Sequence, residues 1–168
     1  MRFFLILILI TPTLAMAQSE LVTGAATPQE VFEKVEEAAL FLSMTGEGGL
    51  KAFQNPTGRF VWKNTHVAVT KCIDNYCLPS PKSTDIGLNM SKLKCYKTGK
   101  FYILELCNEA MYNPKGAWIE YWHPKPGFEQ PQRKVGFMMP ASDTDYQVVS
   151  GVYDDSTTLE QLNKISNR

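Results

Sequence analysis

The chain is poor in several things that would have assigned it quickly. After residue 17 it has no long apolar run, so no second candidate membrane span follows the first. It has no charge of one dominant sign: 17 basic residues stand against 17 acidic ones. Without a basic field or a charged tail, nucleic acid is not an expected partner. Only two histidines occur, His66 and His123, and no Ser-His-Asp order or pair of catalytic carboxylates stands out. An enzyme is therefore not expected. No internal repeat and no C-x-x-C-H haem motif appears.

What is present begins with a compartment signal. Arg2 precedes the apolar run Phe3 to Ile10, Pro12 breaks it, and Ala15-Met16-Ala17 supplies small residues at a cleavage site. This pattern reads as a secretory signal peptide over residues 1–17, leaving residues 18–168 as one domain of ordinary size. Cleavage removes one cation and no anion, so the mature chain sits near −1 and is not expected to span a membrane. The expected location is periplasmic or secreted.

Four cysteines remain in that exported chain: Cys72, Cys77, Cys95 and Cys107. An even number in an oxidising compartment reads as disulfides, with three pairings open. The local pairing, Cys72–Cys77 and Cys95–Cys107, is the expectation, because residues 73–76 fit a hairpin loop. The spacings miss those of zinc sites, so neither a metal nor another cofactor is expected.

Thr27-Pro28-Gln29-Glu30 combines an N-cap, a proline at the first helical position and a capping-box glutamate. Val31, Val35, Ala38 and Leu42 then recur at helical spacing, with Phe32 and Ala39 widening the stripe, until Gly46 stops it. Val61 to Cys72 reads as strand and Phe101 to Met111 as helix. Ala117 to His123, Arg133 to Met139 and Tyr146 to Tyr153 read as three antiparallel strands, and a last helical turn is expected at Leu159 and Leu162. The expected fold class is α+β: a long N-terminal helix packed on a central antiparallel sheet.

Alternation divides the sheet. Val135, Phe137 and Met139, with Tyr146, Val148, Ser150 and Val152, form the better helix-facing set. The other set holds Lys134, Gly136, Gly151 and Tyr153. Glycine inside a strand permits close approach by a ligand or another backbone, so these four can floor a cavity with a cation at its edge. Bulges at the glycines and a solvated lysine are the competing explanation.

The order of parts resembles one family. Residues 116–126, Gly-Ala-Trp-Ile-Glu-Tyr-Trp-His-Pro-Lys-Pro, are similar to the Gly-Trp-Val-Asp-Tyr-x-Trp-Pro-x-Pro segment of Cache domains. Arg133-Lys134-Val135-Gly136-Phe137 resembles that family's Lys-x-Ser-Tyr strand, and residues 149–155, Val-Ser-Gly-Val-Tyr-Asp-Asp, its Gly-Ser-Gly-Ile-Tyr-Asp-Asp ending. Gly58-Arg59-Phe60 and Gly87-Leu88-Asn89 match its turns. The resemblance implies a single Cache domain, PAS-like, with its core at about residues 27–155. Such a domain is an extracytoplasmic sensor binding a small organic acid or amino acid over the sheet.

Trp118 and Tyr121 would then be wall groups, and Lys134 would pair with a ligand carboxylate. Tyr153 would donate a hydrogen bond, while Gly136 and Gly151 give room. Family members are commonly fused to chemoreceptors or kinases. This chain reads as free-standing, so a separate membrane receptor or kinase is the expected partner. Pro79-Ser80-Pro81 stands where the family often has Ala-His-Pro, and Gly136 and Phe137 replace a serine and a tyrosine. A pocket more apolar than usual is expected from those losses. The alternative class is a disulfide-stabilised interaction module with no small ligand.

Overall fold

Residues 24–74, 76–78, 80–82 and 86–167 are described in a computed structural model. The predicted signal peptide lies outside them. The first element is helix α1, Pro28–Thr45. Thr27 Oγ1 accepts the Glu30 N–H at 3.2 Å, and the Glu30 carboxylate accepts the Thr27 N–H at 2.8 Å. Two of the helix's orphan donors are thereby satisfied, as the capping-box sequence requires. Gly46 ends the helix at φ 54°, a backbone angle that suits glycine, and the chain tightens into a 3-10 helix over Gly46–Phe53.

The predicted strand from Val61 to Cys72 is three strands. Lys63 adopts φ 47°, which folds β1 (Val61–Trp62) back on β2 (Thr65–His66); β3 (Ala68–Lys71) then joins the main sheet. β4 (Tyr76–Cys77) returns as a short hairpin partner of β3. After a 3-10 turn at Met90–Lys92, helix α2 runs Tyr102–Met111. Three longer strands follow, β5 (Ala117–His123), β6 (Gln132–Pro140) and β7 (Gln147–Tyr153). Helix α3, Leu159–Ser166, is longer than the turn expected there and opens on a second capping box between Thr158 and Gln161.

The main sheet is antiparallel, in the order β4-β3-β7-β6-β5. Its inner face carries Val135, Phe137, Val148 and Val152 against Val31, Val35, Ala38 and Leu42 of α1. Val135, Phe137 and Val148 are completely buried. Phe60, from the Gly-Arg-Phe turn, stacks on Phe53 with ring centroids 4.2 Å apart and closes one end of this core. Leu162 of α3 adds to it. The α+β class and the helix-covered inner face are as the sequence indicates.

The disulfide is a correction. Cys72 bonds to Cys107, not to Cys77, and Cys95 does not bond to Cys107. Cys107 lies on the buried face of α2 with Ile103, Leu106 and Ala110, and that face carries its sulfur to the end of β3. The two Cα atoms stand 5.6 Å apart, within disulfide reach. Cys77 turns toward the Leu78 carbonyl, with Sγ 3.5 Å away, and Cys95 Sγ accepts the Trp122 N–H at 3.3 Å. Chain-entropy arithmetic gives about 4 kcal/mol for a loop of this length, more than either local bridge would supply.

Candidate functional site

Register builds the outer face row by row. Tyr121, Lys134 and Tyr153 are direct cross-strand neighbours on β5, β6 and β7. The next row is Ile119, Gly136 and Gly151, and the third is Ala117, Met138 and Val149. α2 and the 3-10 turn cover part of this face through Tyr102, Ile103, Leu106 and Met90. Two adjoining cavities remain. The inner one, about 280 Å³, lies between Val149 and Gly151 on the floor and Tyr102, Ile103, Leu88 and Met90 above. The outer one, about 580 Å³, continues toward the β1–β2 hairpin and Pro124. Thr65, His66, Lys82, His123, Lys134 and Gly151 border both, which makes them one stepped cleft of a size suited to a small molecule.

Lys134 sits at the step. Its Nζ lies 5.2 Å from the Tyr153 ring centroid, a cation–π contact. Its Cε would be 3.4 Å from a Cβ at Gly151, so the side chain runs across that glycine. A Cβ at Gly151 would also meet the Val135 carbonyl at 2.7 Å, and no larger residue fits. Gly136 has a different task from the one expected. It borders neither cavity; the Tyr121 ring occupies its space, 3.3 Å from where a Cβ would be.

Tyr121 lines the inner cavity and is stacked on Tyr102, centroids 3.9 Å apart and planes 5° from parallel. Burial pushes its hydroxyl well above the usual tyrosine range, aided by Tyr102 and Tyr153 nearby. Burial likewise lifts Tyr102 to about 12. Both phenols are neutral hydrogen-bonding groups at any physiological pH.

Two assignments change. Trp118, three residues from Tyr121, turns to the inner face, where its ring tilts against Phe137 at 4.8 Å. It is a core residue and no wall of the cleft. Tyr153 borders the outer cavity, but its hydroxyl donates to the Pro124 carbonyl at 2.5 Å, so its proton is already engaged.

The motif reading missed several lining groups. His123 follows Tyr121 by two residues and so shares its face; counting by two would have found it. Its ring stands edge-on to Tyr96, Tyr102 and Tyr121, with centroids 6.0–6.4 Å away. Burial, then the positive charges of Lys134 and Lys82, lower its pKa and keep the imidazole neutral. Its Nδ1 is buried without a hydrogen-bond partner among the described residues. Lys63, held in the left-handed turn of the β1–β2 hairpin, borders the outer cavity and bonds Glu30 at 2.6 Å. That bond holds the Glu30 carboxyl below its usual range.

Three lysines and two histidines thus border the cleft, and no Asp or Glu does so among the described residues. The pocket is therefore less apolar than the lost family hydroxyls suggested, because its cations come from other segments. The arrangement attracts anions.

A helix-backed antiparallel sheet with a cation-bordered cleft on its other face is the α+β, PAS-like architecture expected from the sequence. A family model described as Cache domain matches residues 57–158, and the chain belongs to that family. The match begins beyond α1. Three solved structures share the fold. The periplasmic sensor domain of a chemotaxis protein is 20% identical, with a TM-score of 0.54, covering 76% of this chain and 90% of that one. A Cache chemosensory domain from work on carboxylic acid recognition is 18% identical, TM-score 0.54, covering 76% and 88%. A methyl-accepting chemotaxis protein from Vibrio parahaemolyticus RIMD 2210633 is 18% identical, TM-score 0.51, covering 73% and 82%. No curated protein matches the chain. No helix among the described residues is long and apolar enough to cross a membrane.

Proposed function

We propose that this Cache domain is an exported sensor that takes a small organic acid in the outer-face cleft and reports to a separate signalling partner. The observation that carries this reading is the charge of the cleft: Lys82 and Lys134 border it together with Lys63, which is paired with Glu30, and no carboxylate lines it among the described residues. A ligand carboxylate gains charge-assisted hydrogen bonds there, each contributing about 1.5–3 kcal/mol. An amino acid's ammonium finds no anionic partner among the same residues, which favours an organic acid over an amino acid. The apolar end formed by Leu88, Met90, Ile103 and Val149 suits a short hydrocarbon segment. A disulfide suits an oxidising compartment, in keeping with the periplasmic or secreted location read from residues 1–17.

The interaction-module alternative needed an outer face plugged by side chains, and the described residues leave it open. The experiment is a thermal-shift screen of small carboxylates and amino acids, followed by calorimetry with the best hit. A true ligand at 100 times its Kd adds about 2.7 kcal/mol of stability. Lys134→Ala is expected to weaken that ligand at least tenfold. Equal affinity in the variant overturns the role given to Lys134, and no stabilising compound across the screen overturns the reading itself.

A further inference from the structure

The two edges of the main sheet are unlike. β4 is an edge of two residues, too short to recruit another strand. β5 is an edge of seven, Ala-Trp-Ile-Glu-Tyr-Trp-His, in unbroken register with β6 and containing neither lysine nor proline. Lysine and proline are two of the devices that protect an edge. One end of β5 is covered: the Trp122 carbonyl accepts the Tyr96 N–H at 3.0 Å, and the Trp122 N–H donates to Cys95 Sγ. Since Trp122 points its backbone groups out of the sheet, antiparallel alternation points those of Glu120 and Trp118 the same way. Among the described residues no hydrogen bond takes up these two N–H and two C=O groups.

They face a groove of about 600 Å³, separate from the ligand cleft. Tyr102 forms the partition, bordering the groove on one side and the inner cavity on the other. One groove wall is α2, which presents Glu105 and Glu109; the other is α3, with Leu159 and Asn163. The two glutamates are one helical turn apart, both exposed, and neither pairs with a cation among the described residues. We infer that the β5 edge is a strand-docking groove for an extended, lysine- or arginine-bearing segment of a partner protein. The backbone of such a segment would pair with Trp118 and Glu120 and extend the pairing that Cys95 and Tyr96 begin, and its cations would meet Glu105 and Glu109.

The test uses the isotope-labelled full chain and a capped peptide of alternating valine and lysine, followed by nuclear magnetic resonance. The expected result is movement of the Trp118 and Glu120 amide signals. The same peptide N-methylated at alternate residues, which cannot pair as a strand, is expected not to produce it. Glu105→Gln with Glu109→Gln, checked for an unchanged Tm, is expected to weaken binding about threefold or more at low salt, as for two exposed charge contacts. The inference is overturned if the two amides stay still, or if N-methylation or the glutamate changes leave binding intact. It is equally overturned if those signals shift with protein concentration alone, since the edge would then belong to a second copy of the chain.

Discussion

The same strands present two surfaces that obey different rules. On the inner face, Val135, Phe137, Val148 and Val152 meet the stripe of α1 with no exposed area worth the name. On the outer face, one residue further along each strand, Lys134, Gly151 and Tyr153 border open space. A period of two has separated a closed core from an open cleft within a single sheet. Substitutions on the inner face should therefore alter folding, whereas those at the open, cleft-bordering part of the outer face should alter binding with little effect on folding.

The sharpest way to break that comparison is on the inner face. Phe137→Ala removes a fully buried ring and is expected to cost about 3–5 kcal/mol in chemical denaturation. A loss under 1 kcal/mol would mean that the inner face is not the core. Next comes the staple across the outer face. Cys72→Ser with Cys107→Ser should lower stability by about 2–4 kcal/mol, and non-reducing peptide mapping should join the Cys72 and Cys107 peptides. A Cys72–Cys77 linkage in the map would contradict the structure. Smaller again in energy is Lys134→Ala, where a tenfold loss of ligand affinity, about 1.4 kcal/mol, should accompany an almost unchanged Tm.

The smallest effect expected is a pH slope. His123 has its pKa lowered in the folded state, so the unfolded chain takes the proton first. Stability is then full above the unfolded pKa of about 6.5 and declines as pH falls below it. Melting curves of His123→Gln should lack that decline as pH falls below about 6.5, while the carboxylates Glu30, Glu37 and Asp154, whose pKa values are also lowered, act at lower pH in both proteins. Identical slopes in the two proteins would remove His123 from the account.

Local chemistry was the readable part. The Thr27–Glu30 capping box, the stripe of α1, α2 and the three C-terminal strands follow from rules that act within a few residues. So did the face holding Lys134 and Gly151. What escaped was set by contacts between distant segments. The disulfide depends on how α2 lies over the hairpin, which no spacing between cysteines encodes. Tyr102, Lys82 and His66 reach the cleft from three separate stretches. The proton of Tyr153 goes to Pro124, 29 residues away. Trp118 is the exception, since an odd offset from Tyr121 already places the two on opposite faces. The break at Lys63 is local but carries little signature, because a left-handed lysine is uncommon.

The Cys72–Cys107 bond has one more effect. Every residue that roofs the inner cavity, from Cys77 through Lys82, Leu88, Met90 and Leu93 to Ile103, falls within the stretch that this bond closes on itself. The roof is thus a covalent hoop, pinned to the sheet where its two ends meet. While that bond is intact, neither end of the hoop can peel away from its partner.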